Sequence, residues 1–429
     1  MRITDFRIHS IAIADPPLRS SYGLHAPFAL RTIIELESDE GLIGISETHG
    51  GDANAAMFKA MRPRIVGADP YRLCASLFAA DAAAPVDRSQ TYLVPGENPH
   101  DAMARLGSAI EIACLDLIGK SVGKPVCDLL GGRVRDAVPF SAYLFYKHTG
   151  GGGANEPDEY GECLTPQSMV RQATQMIDQY GFQSIKLKAG VLDPDVEIAT
   201  IKHLYEAFGP SFPLRIDPNC AWSVDTSIAV GRALATELGG EGYLEDPAPH
   251  MEGMAAVRSG LRRLGIDTPL ASNVAVTSFA HIPDAVRLDA VQIVLCDPHY
   301  WGGIRQIQHL SKVCETFSLG LSMHSNSHLG VSLMAMAHAA AAAPHLTYAC
   351  DTHYPWQTER DEVVAGGRIR FDRGMVRIPD RPGLGVDLDY DQLARGRERY
   401  AAIPLRKRDD AEEMRKHVDP NWQRVVPRW

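Results

Sequence analysis

SIKLKAG (184–190), LRIDPN (214–219), GYLEDP (242–247), PLASNV (269–274) and VQIVLCD (291–297) follow one another as short apolar runs closed by polar residues. SAYLFY precedes them, and LGLSMHS and TYACD follow, giving eight runs centred near 143, 186, 216, 244, 271, 294, 322 and 349. Each has the length of a buried strand. After a longer first gap they recur at intervals of roughly 23–30 residues. Helical patterns fill the gaps: Thr165-Pro166 opens 166–180, Asp193-Pro194 opens 194–208, and 223–238, 251–264, 303–316 and 329–343 carry apolar residues at helical spacing. Strand–helix alternation repeated eight times predicts an α/β fold of the (β/α)₈ barrel type.

Upstream the texture differs. Residues 3–15 and 31–47 alternate apolar and polar positions, and Asp39-Glu40-Gly41 breaks the second stretch into a hairpin. Residues 54–86 and 100–122 read as helices, the latter stopped by Gly123-Lys124-Pro125. An α+β domain over 1–132, a barrel over 133–385 and a C-terminal segment over 386–429 are therefore expected. Gly150 to Gly153 and the following ANEPDEYGEC form a loop where the first strand–helix connection of a barrel overhangs the catalytic face. No Gly-Lys-Ser/Thr follows, which argues against a phosphate cradle. The Ala-rich stretch 328–344 reads as a helix packed closely on the barrel.

Composition excludes several roles. The chain has 429 residues and a formal net charge of −10, and its one basic cluster, Arg406-Lys407-Arg408, runs straight into Asp409 and Asp410, so no nucleic-acid partner is expected. No run of about 18 apolar residues appears, so no membrane span is expected, and a cytoplasmic location follows by default. The eight cysteines are scattered without a C-x-x-C pair, as reduced buried thiols would be.

In a barrel, polar residues at the C-terminal strand ends face the active site. Lys186 and Lys188 lie two apart on the second strand and point to the same side. Two lysines so close depress each other's pKa, which would let one act as a general base while the other stays charged. Asp217, Glu245 and Asn273 end the next three strands at intervals of 28 residues, one oxygen ligand from each, a set that suits Mg²⁺. Asp297 and His324 end the sixth and seventh strands, where a carboxylate beside an imidazole makes an acid/base dyad. Singly, each has an ordinary structural use, as turn cap, solvated lysine or buried histidine. Together they define a site that removes the proton next to a carboxylate and can expel a β-hydroxyl as water.

These motifs, KLKAG (186–190), DPNCAW (217–222), EDP (245–247), ASN (271–273), DPHYW (297–301) and HSNSH (324–328), resemble the glucarate dehydratase subgroup of the enolase superfamily, with further echoes at GLHAPF (23–28), QTY (90–92), AYLFY (142–146), DTHYPWQ (351–357), PGLGV (382–386) and RDDA (408–411). The resemblance implies Mg²⁺ on Asp217, Glu245 and Asn273, Lys188 as base with Lys186 as its electrostatic partner, and the Asp297–His324 dyad as base on the other face and acid for the leaving hydroxyl. It implies acid-sugar contacts at His25, Thr91, Tyr143, Phe145, Asn219, Asn326, His353 and Arg408, the last suited to a second carboxylate by its planar fork. It implies dehydration of D-glucarate and L-idarate to 5-keto-4-deoxy-D-glucarate, an α+β domain that caps the barrel, a C-terminal segment that returns to that domain, and a homo-oligomer. Galactarate, a monoacid sugar, racemisation and a non-catalytic paralogue are the alternatives. Ala189, Cys220, Ser327 and Gly302-Gly303 depart from the subgroup's pattern, as does the 147–163 loop, and none of these changes removes a catalytic group.

Overall fold

The computed structural model describes residues 1–76, 99–150 and 158–429. An N-terminal three-stranded antiparallel sheet is built from β1 (Ile3–Ala14), β2 (Phe28–Ser38) and β3 (Ile43–His49), with β2 in the middle and the Asp39-Glu40-Gly41 hairpin joining β2 to β3. The helices α1 (Asp52–Ile65) and α2 (Pro99–Val122) lie against it, and a short helix, Pro70–Ser76, shows that the 54–86 stretch is interrupted rather than continuous. Phe6, Ile34, Leu36, Phe58, Ile110 and Leu117 form the core of this unit. A fully buried side chain of this size contributes about 1.5–3 kcal/mol. The helix α2 is apolar on two sides: Ile110 and Leu117 serve that core, whereas Ile112 and Leu115 belong to the larger core of the second unit.

That second unit is a curled sheet of seven parallel strands in sequence order: β4 (Ala142–Phe145), β5 (Ile185–Lys188), β6 (Leu214–Asp217), β7 (Tyr243–Glu245), β8 (Leu270–Ser272), β9 (Ile293–Cys296) and β10 (Gly320–Met323). The expected eighth strand is reduced to a connecting segment. Asp351 N donates to Met323 O (2.9 Å) and Cys350 N to Pro139 O (2.9 Å), so residues 347–351 still bridge the two edges. A regular ladder fails there because Thr347 and Tyr348 both donate to Leu321 O, while the Thr347 hydroxyl takes Leu321 N at 2.9 Å.

Helices cover the sheet: α3 (Pro166–Tyr180), α4 (Pro194–Phe208), α5 (Val224–Ala233), α6 (His250–Arg263), α7 (Ile304–Thr316) and α8 (Gly330–Ala341). Thr165 and Ser168 form a capping box on α3, Asp193 caps α4 and Ser223 caps α5, each just ahead of the helix it starts. The helix α5 stops at Ala233, short of the expected 238. Neither α7 nor α8 has a cap of its own. The N-terminal unit supplies both. Glu111 on α2 accepts from Ile304 N (2.8 Å) and Arg305 N (3.3 Å), and Glu47 on β3 accepts from Leu329 N and Ser332 N (both 2.9 Å). Two buried carboxylates thus sit at helix N-termini across the boundary between the units. The helix α9 (Tyr390–Ala402) returns to pack on β1, and α10 (Asp410–His417) lies by the Gly23–Leu24 strand. Among the described residues no helix is long and apolar enough to cross a membrane.

Gly303 shows how tight the docking is. Its φ is +95°, and a Cβ there would lie 2.0 Å from Glu111 Oε2. We expect Gly303→Ala to cost about 2–4 kcal/mol, from left-handed strain and overpacking together. Gly41→Ala, at φ +74° with nothing within 4 Å, carries the strain alone. Urea midpoints of the two variants make the comparison, and equal losses would remove the role given to Glu111.

Candidate active site

The C-terminal ends of β6 to β8 gather an oxygen-rich cluster. Asp217 and Glu245 are the last residues of β6 and β7, Asn273 follows β8, and all three are buried. Asp217 Oδ2 accepts from Lys188 Nζ (2.6 Å), and its Oδ1 from Asn219 N (2.9 Å). Among the described residues, both Glu245 oxygens and Asn273 Oδ1 lack a hydrogen-bond partner, although Glu245 Oε2 lies 2.6 Å from Lys186 Nζ without hydrogen-bond alignment. Asp246 fixes Asn273 by accepting its backbone N–H (2.9 Å) together with the Ser272 hydroxyl (2.5 Å). Burial, with Asp217 nearby, pushes the Glu245 carboxyl well above its ordinary range and Asp246 up to about 6.

The charges explain that pressure. Three buried carboxylates, Asp217, Glu245 and Asp351, pair with the ammonium groups of Lys186 and Lys188, and buried Asp246 accepts from Ser272 and Asn273 close by, so the cluster carries two more carboxylates than ammonium groups. Among the described residues no group of three or more His, Cys, Asp or Glu is arranged to hold a metal. The candidate set is instead two carboxylates and an amide oxygen. Orphaned hard oxygens and a deficit of two charges fit a divalent cation such as Mg²⁺.

Lys186 is wholly buried, 2.6 Å from Asp351 Oδ2 and Glu245 Oε2, with its ammonium 4.7 Å from the centre of the Tyr143 ring. Burial favours its neutral form, but Asp351 and Glu245 overcome this and hold its pKa well above the ordinary value. The mutual depression expected of the two lysines therefore does not govern Lys186. Lys188 keeps its ammonium on Asp217 Oδ2 and on Asn219 Oδ1. Asp351, in the reduced eighth strand, escaped notice in the sequence, although it stands at a strand end like the others.

Asp297 follows β9 and His324 follows β10, and His324 Nδ1 lies 3.2 Å from Asp297 Oδ2. The other Asp297 oxygen is held by His299, through Nδ1 at 2.6 Å and the backbone N–H at 2.8 Å, and His299 Nε2 reaches the Ser332 hydroxyl at 2.9 Å. Burial alone would raise Asp297, but His299 and His324 hold it far below the usual carboxylate range. His299 was the second residue missed, two positions beyond a motif residue.

A cavity of about 430 Å³ lies between these groups. Lys188, Asn219 and Asn273 line one side, with Tyr143 and Phe145. His324, Asn326 and His353 line another. His25 and Arg408 reach it from outside the barrel. Lys186, Asp217, Glu245 and Asp297 stand directly behind and touch lining residues or one another. Thr91 lies outside the described residues, as does much of the 147–163 loop. His353 rests on Tyr143 and Phe145 at ring distances of 4.8 and 5.1 Å, and Ser325 Oγ is 2.8 Å from its Nδ1. The expected free fork of Arg408 is otherwise engaged: Nε and Nη2 meet the two Asp410 oxygens at 2.6 and 2.7 Å, and Nη1 meets Asp15 at 3.1 Å. Lys407 and Arg424 stand on the same wall.

A capped parallel barrel with two buried lysines, an Asp–His pair and a cluster of buried oxygens at its strand ends is an enolase-type architecture, and comparison with known proteins agrees. Residues 13–131 match the mandelate racemase/muconate lactonizing enzyme N-terminal domain, and residues 168–393 match the enolase C-terminal domain-like family. The chain belongs to the enolase superfamily and, within it, to the glucarate dehydratase subgroup, whose members are hydro-lyases. It is 45% identical to a probable glucarate dehydratase of Streptomyces coelicolor, over 100% of this chain and 99% of the relative. A crystal structure of an enolase from Pseudomonas fluorescens with bound magnesium, potassium and tartrate is 47% identical, with a TM-score of 0.92 over 100% of this chain and 99% of that one. Another, from Thermobispora bispora with magnesium and formate, is 45% identical, with a TM-score of 0.92 over 100% of both chains.

Asp351→Asn removes one buried partner of a buried ammonium. The expected cost is about 3–5 kcal/mol, read as a lower urea midpoint. A midpoint equal to that of the wild type would mean that Glu245 alone suffices for Lys186.

Proposed function

We propose that the protein dehydrates an acid sugar, D-glucarate and its C-5 epimer L-idarate first, to 5-keto-4-deoxy-D-glucarate. One observation carries this reading: Lys188 and His324 of the Asp297–His324 pair open on the same cavity as Asn273, beside Glu245, whose oxygens accept no hydrogen bond among the described residues. Asp217, Glu245 and Asn273 would hold Mg²⁺, as suits their oxygen donors and the charge deficit. Bound there, Mg²⁺ supplies Lewis acidity toward a substrate carboxylate.

The remaining steps belong to side chains. Lys188, once deprotonated, takes the proton from the carbon next to the carboxylate, and Lys186, locked in its charged form by Asp351 and Glu245, faces the developing negative charge. The electron pair left on carbon forms a double bond as the β-hydroxyl leaves. With Asp297 on Nδ1, His324 turns Nε2 to the cavity and gives the hydroxyl its proton, so that water departs and the enol becomes the keto acid. Bases from two sides fit two epimers at the same carbon. The second carboxylate falls to the Arg408 wall, where it competes with Asp410 for the guanidinium and gains from Lys407 and Arg424. On the same footing the protein acts in the cytoplasm as a homo-oligomer, on small molecules rather than nucleic acid or membrane.

Incubation of the Mg²⁺-loaded protein with mono- and diacid sugars should yield keto acid from diacids. Turnover of monoacids alone would sink the diacid assignment. Solvent deuterium uptake without water loss would point to a racemase, and inertness toward every acid with Mg²⁺ bound would point to a non-catalytic paralogue. Lys188→Ala and His324→Asn should each abolish dehydration of at least one C-5 epimer, and full activity in both would overturn the two-base scheme. Arg408→Met should raise KM for a diacid about tenfold. An equal rise for a monoacid would remove its role at the second carboxylate.

A further inference from the structure

Three side chains absent from the scheme above are linked through Asn326, two of them directly. Arg31, on β2 and buried, donates from Nη1 to Asn326 Oδ1 at 3.3 Å while its Nε is held by Glu47 at 2.8 Å. A guanidinium can only donate, so the amide oxygen must face Arg31 and the amide nitrogen must face away. That nitrogen donates to the Tyr300 hydroxyl at 3.2 Å, which in turn lies 2.8 Å from His49 Nε2. Burial, with Arg31 and Arg105 adding to it, holds the His49 pKa well below the ordinary value. The neutral imidazole shares one hydrogen bond with the phenol through Nε2 and leaves Nδ1 on its other side. That Nδ1 is buried with no hydrogen-bond partner among the described residues.

The placement of this chain matters as much as its direction. Tyr300 and Asn326 follow β9 and β10, whereas Arg31 and His49 sit on β2 and β3, so the chain crosses between the two units. Tyr300, His49 and Asn326 line the cavity, and the Tyr300 ring centre is 6.1 Å from that of His324. An oriented amide beside a phenol presents donor and acceptor together. An alcohol uses both, whereas a carboxylate can only accept.

We propose that Tyr300, seated by His49 and paired with an Asn326 that Arg31 orients, is a specificity-determining residue that reads a hydroxyl of the substrate beside His324. This rests on the acid-sugar reading. It makes the site prefer a polyhydroxy diacid to a bare diacid of the same length, and it ties that preference to the seating of the N-terminal unit on the barrel.

The test compares D-glucarate with adipate, its six-carbon diacid counterpart without hydroxyls, by calorimetric titration of the full Mg²⁺-loaded chain. A Lys188→Ala/His324→Asn background, which removes both bases, silences turnover of either epimer. Tyr300→Phe should weaken D-glucarate about tenfold and leave adipate within about twofold. His49→Gln, which retains a polar partner for the phenol, should fall between Tyr300→Phe and the parent. Equal weakening of both diacids would show a structural role only and overturn the proposal, as would unchanged D-glucarate affinity or a parent protein that does not prefer D-glucarate to adipate. The dehydratase reading is checked separately with the enzyme that retains both bases. A preference for D-glucarate without turnover would sink that reading and leave the role of Tyr300 standing.

Discussion

The carboxylate of Glu47 at the N-terminus of α8 is the contact on which the enclosure of the cavity depends. A helix start exposes backbone N–H groups that need acceptors, and Leu329 offers none. Glu47 supplies the acceptor from another part of the chain and at the same time binds Arg31, which reaches Asn326. Glu111 repeats the arrangement at α7. The pattern divides the barrel in two. Helices α3, α4 and α5, which follow the strands carrying Tyr143, the lysines and Asp217, use their own Thr165, Asp193 and Ser223. Helices α7 and α8, which follow the Asp297 and His324 strands, borrow their caps. The half of the site that holds the dyad thus takes two helix caps from the N-terminal unit, while Glu362 adds a further acceptor at Gly330 N (3.1 Å).

That division also sorts what the sequence made legible. Thr165-Pro166 and Asp193-Pro194 are local signals, and the helices begin where those dipeptides place them. Asp217, Glu245 and Asn273 were legible for a related reason: the strand-to-helix period brings them up once per repeat, at the end of the barrel where polar groups converge. The Glu47 and Glu111 caps are joined to their helices only in space, with 282 residues between Glu47 and Leu329. No local pattern can announce a contact of that span.

Other differences come from groups whose partners decide their behaviour. Two adjacent lysines suggest mutual repulsion, but Lys186 is governed by Asp351, 165 residues away. An Arg-Asp-Asp run suggests either a free fork or a surface ion pair. Arg408 is both a cavity wall and the bidentate partner of Asp410, because Asp409 between them has near-extended backbone (φ −140°, ψ 90°) and side chains two apart on such backbone fall on one side. The eighth strand was overread because TYACD has strand composition. A threonine side chain takes over one of its backbone contacts, and composition does not show that.

These local pairings bear on how a protein with a net charge of −10 can receive an anion. At physiological ionic strength, charges farther than about 8 Å are largely screened, so the total matters less than the lining. The lining is graded. At the strand ends carboxylates outnumber ammonium groups, an arrangement that calls for a cation before an anion can enter. At the mouth, Lys407, Arg408 and Arg424 face Asp409 and Asp410 across one wall. On the acid-sugar reading, one carboxylate of a diacid would meet Lys407, Arg408 and Arg424, and the other would meet Lys188 beside the carboxylate cluster. On that reading metal would bind before substrate, because carboxylates outnumber ammonium groups at the strand ends.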